Sequence, residues 1–193
     1  MELLVVGLVL AGIVIAYGWY VVLIRRRNRA LEALSSIDVQ LRKRHDLLPN
    51  ILKLAERFMA HERDLLTRVT ELRQEARRPY DATASEAVRR HLEAERGLEA
   101  GLRQLFALAE NYPELRSSQT VIEAQQAFAR VEGHVAAARR FYNSAVADLN
   151  NAVQIFPGSL IARQARVEAM PFFELEDDSL RQPIDASDYL STR

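Results

Sequence analysis

Cysteine is absent from this 193-residue chain, which removes disulfides, thiolate metal sites, iron–sulfur clusters and a cysteine nucleophile from consideration. That absence says nothing about redox compartment, because a chain without thiols suits either side of a membrane. Glycine and proline are scarce, at seven and six residues, so little of the chain is left for loops. Excess charge is missing as well. The 26 basic side chains balance 26 acidic ones, whereas a nucleic-acid binder shows a clear basic surplus. Arginine-rich stretches such as His91 to Arg103 are interspersed with glutamates, which counts further against nucleic acid. Catalytic signatures are lacking too: there is no P-loop, Gly-rich dinucleotide turn, His-Glu-x-x-His or Gly-x-Ser-x-Gly elbow.

One feature is present in excess. Leu3 to Ile24 is a run of 22 positions without a charged side chain. As a helix it rises roughly 33 Å, enough for a hydrocarbon core of about 30 Å. Trp19 and Tyr20 lie near its end, where amphipathic rings favour the headgroup level. A cleaved signal peptide would need a basic start, a shorter apolar stretch and a small-residue cleavage site; here Glu2 precedes the run and arginines follow it. The reading is a retained transmembrane helix. Arg25, Arg26, Arg27 and Arg29 flank it on one side only, so that side is expected to be cytoplasmic and the amino terminus to face outward. Gly7 with Ala11 and Gly12 with Ala16 have the spacing that lets helices approach closely, a pattern also frequent by chance in such spans.

Beyond the span the chain is written in heptads. Alternate steps of four and three from Ala30 pass through Leu34, Ile37, Leu41, Arg44, Leu48, Ile51, Ala55, Phe58, Glu62, Leu65, Val69, Leu72 and Ala76. This is the stripe of a helix packed in a bundle, and it crosses Pro49 without a slip. The pattern predicts one long helix from the membrane to Ala76, with a kink at Pro49. Pro79 marks a turn, and Thr83 with Glu86 has capping-box spacing for the next helix. Val88, Leu92, Leu98, Leu102, Leu105, Ala109 and Tyr112 give that helix its face, diluted by Gly97 and Gly101. Thr120 with Glu123 is a second capping box. It opens a helix whose face runs Val121, Ala124, Phe128, Val131, Val135, Ala138, Tyr142, Ala145, Leu149, Ala152 and Phe156. Pro157-Gly158 stops it, and a short amphipathic piece from Ser159 to Val167 is expected to fold back.

The reading is therefore all-α: an N-terminal transmembrane helix continuing into an antiparallel bundle of long helices. Residues 1–24 hold the anchor (span 3–24) and residues 25–173 the cytoplasmic bundle. Residues 174–193, with six acids against Arg181 and Arg193, form an acidic tail expected to be flexible.

Four groups of residues now carry a resemblance. They are Ile37-Asp38-Val39-Gln40-Leu41 through Lys43-Arg44 to Asp46-Leu47-Leu48-Pro49-Asn50; His61-Glu62; Glu110-Asn111-Tyr112-Pro113-Glu114-Leu115; and Ala138-Arg139 with Tyr142-Asn143, Val146, Asn150, Phe156-Pro157-Gly158 and Phe172-Phe173-Glu174. In this order, over roughly residues 30–174, the chain resembles the LemA family of bacterial membrane-anchored helical bundles. It departs at Leu34-Ser35, where the family usually has Trp-Ser, and at Arg166-Val167, where Gly-Phe is common. The resemblance implies an anchored bundle and supplies no catalytic residues to carry over.

Among polar candidates, Arg44 and Glu62 are the charged residues on the first stripe. They lie about 27 Å apart along a straight helix, so each needs a partner elsewhere or a place where the bundle opens. Asn143 and Asn150 are one heptad apart, with Arg139 one turn before Asn143. With Asp38 or Asp46 they are expected to form a buried polar network that fixes register. His45, His61, His91 and His134 invite a metal, but none stands in a Glu-x-x-His pair, and surface or capping roles are preferred. No catalytic residue, cofactor or metal is expected, and the chain is read as a non-enzyme, an enzyme at the Arg44/Glu62 region being the least favoured reading. The functional expectation is a single-pass protein of the bacterial inner membrane, acting as a scaffold or partner-binding module at its cytoplasmic face. The alternative is a self-associating envelope-stress or membrane-remodelling factor. Expected partners are the lipid bilayer, an unidentified protein and, in the alternative, further copies of the chain.

Overall fold

The computed structural model describes residues 1–59, 61–113 and 119–174. Five helices and no strand occur among them: α1 (Glu2–Phe58), α2 (Arg63–Ala76), α3 (Ser85–Ala109), α4 (Gln119–Gln154) and α5 (Gly158–Ala165). The acidic tail, from residue 175 onward, lies outside the described residues.

The apolar run and the first heptads belong to a single helix. α1 continues through Pro49 without interruption, as the unbroken register implied. The expectation that it reaches Ala76 is corrected. The chain leaves helical geometry at Met59 (φ −116, ψ 45) and re-enters at α2 after Glu62 (φ −98, ψ 35). α2 then folds back along α1, with Arg73 Nε donating to the His45 carbonyl at 3.2 Å. The stripe survives the reversal because both arms of the hairpin turn their apolar faces to the same core, where its residues Ile51, Ala55, Val69 and Ala76 are buried.

α3 reverses again. Its Gly101 is where α2 comes close: a Cβ there would stand 3.1 Å from the Leu72 side chain and 3.4 Å from Val69. The glycine that weakened the sequence pattern thus serves the packing. The Thr83/Glu86 capping box is not formed. Asp81 Oδ1 accepts from both the Thr83 N–H (2.8 Å) and its hydroxyl (2.7 Å), an Asx-type turn, and the N-cap is Ala84, which has no side-chain cap. Thr120 likewise lies inside α4, which is already helical at Gln119.

α4 runs antiparallel to α1. Arg26 Nη1 donates to the Asp148 carbonyl at 3.0 Å near one end of the pairing, and Arg44 meets Glu132 near the other. At Gly158 a Cβ would overlap the carbonyl oxygen of Ala152, so only glycine permits the tight return into α5. α5 closes on a Schellman arrangement: the Val167 N–H bonds to the Ala162 carbonyl (2.9 Å) and the Arg166 N–H to that of Arg163 (3.4 Å). Arg166 therefore adopts a left-handed backbone (φ 53, ψ 41). Residues 167–174 then pass, without helical structure, back along α4.

Two apolar cores result. The core next to the apolar end of α1 holds Leu23, Leu34, Ile37, Leu41, Val88, Leu92, Tyr142, Leu149 and Phe173. The distal core holds Leu48, Leu52, Met59, Val69, Leu98, Leu102 and Leu105.

Candidate functional site: a polar layer and the groove beside it

Between the two cores lies a charged layer. Arg44 is wholly buried on α1, and its guanidinium reaches two helices. Nη2 donates to Glu95 Oε2 of α3 at 2.6 Å, and Nη1 donates to Glu132 Oε1 of α4 at 3.2 Å. His45 Nε2 shares a 2.7 Å hydrogen bond with the other Glu95 oxygen, Oε1. Because α2 binds the His45 carbonyl through Arg73, one level of the bundle ties four helices together. Burial pushes the Glu95 carboxyl up, but the His45 hydrogen bond and the Arg44 charge outweigh it, and the net direction is down. For Arg44, burial lowers the pKa while the charges of Glu95 and Glu132 raise it, and the net direction is up. Both groups are held in their charged forms. A carboxylate whose two oxygens are occupied in this way acts as a tether.

The layer's neighbour is more open. Tyr80 donates to Asp38 Oδ2 at 2.7 Å and stacks on His91 with ring centroids 4.0 Å apart. His91 Nε2 in turn lies 3.4 Å from Asp38 Oδ1. Burial, then the hydrogen bond to Asp38, push the Tyr80 hydroxyl well above the ordinary tyrosine range. These residues edge a groove of about 540 Å3 between α1 and the α2–α3 turn, whose mouth carries Arg42, Asp46, Arg77 and Arg78. A second hollow of about 410 Å3 adjoins it, with Arg90 and Glu75 on its rim. Among the described residues, no group of three or more His, Asp or Glu side chains is placed to hold a metal ion.

The polar residues singled out from sequence are brought together only in part. Arg44 is buried and paired across helices, as a charge on the stripe requires. Glu62 is corrected: it is the N-cap residue of α2, where it accepts a hydrogen bond from the Tyr112 hydroxyl at 3.2 Å. The break after Phe58 removes it from the stripe. The network proposed for Arg139, Asn143 and Asn150 with Asp38 or Asp46 is also corrected. Asp38 is engaged by Tyr80, and Asp46 is exposed. Arg139 pairs with Glu99 of α3 at 2.8 Å, and its guanidinium lies over the Phe173 ring, 4.4 Å from the centroid.

The two asparagines instead grip backbone. Asn143 accepts from the Phe173 N–H (2.9 Å) and donates to its carbonyl (3.0 Å). Asn150 does the same to Met170, at 2.9 Å for each bond. The spacing fits: seven helical residues rise about 10.5 Å and three extended residues span about 10 Å. Tyr142, next to Asn143, donates its hydroxyl to the carbonyl of Pro171, between the two clamped residues, at 2.8 Å.

Of the four flanking arginines, Arg26 is spent on Asp148. Arg25 and Arg29 are exposed and Arg27 is half-buried, with Arg29 5.9 Å from the Phe141 ring centroid. Glu95, Glu132, His45, Tyr80 and His91 were not anticipated as members of a cluster. For Glu95 a clue existed: it stands on the α3 stripe between Leu92 and Leu98, where an unpaired carboxylate is costly.

The apolar end of α1 is long and apolar enough to cross a membrane, and none of its most apolar 18-residue stretch is covered by the rest of the protein. Among curated proteins, none matches the chain. The model of the LemA family matches residues 33–187.

Proposed function

The chain belongs to the LemA family, and from that premise we propose that it is a single-pass protein of the bacterial inner membrane. Its bundle stands at the cytoplasmic face as a scaffold that binds a protein partner without catalysis. The observation that carries this reading is the continuity of α1, whose uncovered apolar end and bundle arm are one unbroken helix. Anchorage of that kind confines the bundle near the bilayer and raises its effective concentration for membrane partners. Arginines on one flank only support the cytoplasmic orientation. The non-catalytic reading draws support from Glu95, whose two carboxylate oxygens are both taken, by Arg44 and by His45. The partner surface is the groove edged by Asp38, Arg42, Tyr80 and His91.

A photocrosslinking residue at Arg78, on the groove, and another at Gln104, exposed on α3, separate the alternatives in native membranes. The scaffold reading expects discrete adducts to another protein from Arg78 and none from Gln104. A ladder in steps of the 22.0 kDa chain mass would favour the self-associating array instead. Adducts from neither position would contradict both.

A further inference from the structure

We propose that the turn between α4 and α5 is a second membrane contact, immersed in the lipid bilayer beside the end of the span. The inference rests on reading α1 as membrane-spanning, and three observations lead to it.

The first is length. The uncharged run extends from Leu3 to Ile24, but its last six residues, Trp19 to Ile24, lie against the bundle on one face, with Tyr20 and Val22 exposed on the other. Trp19, Val21 and Ile24 are half-buried and Leu23 is fully buried in the core next to the apolar end of α1. The free part, Leu3 to Gly18, rises only about 24 Å, short of a hydrocarbon core of about 30 Å. Burying the whole run in lipid therefore draws in the end of the bundle that packs against Trp19 to Ile24.

The second is register. α4 is paired with α1 through Arg44–Glu132 and Arg26–Asp148. Continued to the end of α4, this antiparallel pairing sets Ile155 and Phe156 level with Trp19 and Tyr20, the residues expected at the headgroup boundary.

The third is exposure. At that level Ile155 is 60% exposed, Phe156 74% and Leu160 60%. Three large apolar side chains crowd one turn while Ala152, Gly158 and Ala162 beside them are buried. Water is a poor medium for such a tip, and acyl chains are a good one. Arg25 of α1 and Arg163 of α5 are exposed toward this end, placed for anionic headgroups. A lipid surface matches both the apolar tip and its cationic surround. The consequence is orientation: two contacts, the span and the turn, fix the tilt of the bundle and the face it turns to the membrane, which a single helix leaves free.

Because the chain has no cysteine, single-cysteine variants can carry nitroxide labels at positions that are already exposed. Ile155→Cys, Phe156→Cys and Leu160→Cys are made in the full chain, reconstituted in vesicles containing anionic lipid. Ser144→Cys on α4 is the aqueous control and Val9→Cys the control within the span. Power saturation then compares access of oxygen, which concentrates in lipid, with access of a water-soluble nickel chelate. The proposal expects the oxygen-to-nickel ratio at 155, 156 and 160 to rise above that at 144 toward that at 9. Ratios at the turn equal to that at 144, with position 9 immersed, would overturn the second contact and leave the anchor standing. An aqueous ratio at position 9 would overturn the anchor and the contact together. Dipolar broadening between labels at 156, with nickel access lost and no gain in oxygen access, would assign the turn to a second copy of the chain and overturn the lipid contact.

Discussion

Arg44 on α1 and Glu95 on α3 meet at 2.6 Å with both side chains closed to solvent, at 0% and 1% exposure. The pair sits where the two apolar cores adjoin. Such a pair contributes less to net stability than to specificity, since its desolvation cost offsets much of its attraction. Its value here is register: two cores of similar aliphatic composition accept sliding far more readily than a charge that must find its partner.

Removing one member leaves the other buried and unpaired, which costs about 3–5 kcal/mol. Arg44→Met and Glu95→Leu should each lower the unfolding free energy of the detergent-solubilised chain by that order. The double variant should lose clearly less than the two losses added. Additive losses in urea unfolding would mean that the two residues do not act as a pair.

Acid should weaken the same layer. The Glu95 carboxyl is net lowered from its ordinary value of 4.5, burial opposing and the His45 hydrogen bond and Arg44 charge prevailing. The unfolded chain then binds this proton more readily than the folded one. The associated stability is present above the unfolded value and is lost as pH falls through the folded one. Between about pH 6 and about pH 3 the wild-type melting temperature should fall more steeply than that of Glu95→Gln. Parallel pH profiles would remove Glu95 from the account.

The asparagine clamps predict a local effect. Asn143→Ala frees the N–H and carbonyl of Phe173, and Asn150→Ala those of Met170. Each should cost about 1–3 kcal/mol and speed amide exchange and proteolysis within residues 167–174 before the rest of the bundle responds. Unchanged protection of the Met170 and Phe173 amides would contradict the clamps.

Arg166 holds a left-handed backbone at the end of α5, a conformation that costs a non-glycine residue about 1 kcal/mol or more. Arg166→Gly should therefore raise stability by about 1 kcal/mol, read as a higher melting temperature. A decrease would show that the arginine side chain supplies a compensating contact.

That last residue also shows what was legible in the sequence. The departure from Gly-Phe at Arg166-Val167 falls where a glycine is sterically favoured. The apolar run, the passage of α1 through Pro49, the face of α4 as far as Ala152 and the return after Pro157-Gly158 were readable, because each is a local pattern of period or turn chemistry. Phe156, read as the last member of that face, lies beyond the helix and is exposed. The hairpin at Met59–Glu62 was not. Neither glycine nor proline marks it, and a heptad stripe reads alike in one straight helix or in two arms facing a common core. The polar layer was half legible. Arg44 announced itself as a charge on an apolar stripe, while Glu95, although it stands between Leu92 and Leu98, is one of several glutamates and arginines on α3 that dilute its stripe. Asn143 and Asn150 were recognisable as hydrogen-bonding positions, but their partners are main-chain groups, which carry no side-chain signature.

The central claim is that α1 joins a span to a cytoplasmic bundle. Its most direct measurement is labelling of Glu2→Cys and Ser144→Cys in intact spheroplasts, and again after lysis, with a membrane-impermeant maleimide. The account predicts that Glu2→Cys labels without lysis and Ser144→Cys only after it. Labelling of Ser144→Cys in intact spheroplasts, or identical behaviour of the two positions, would contradict it.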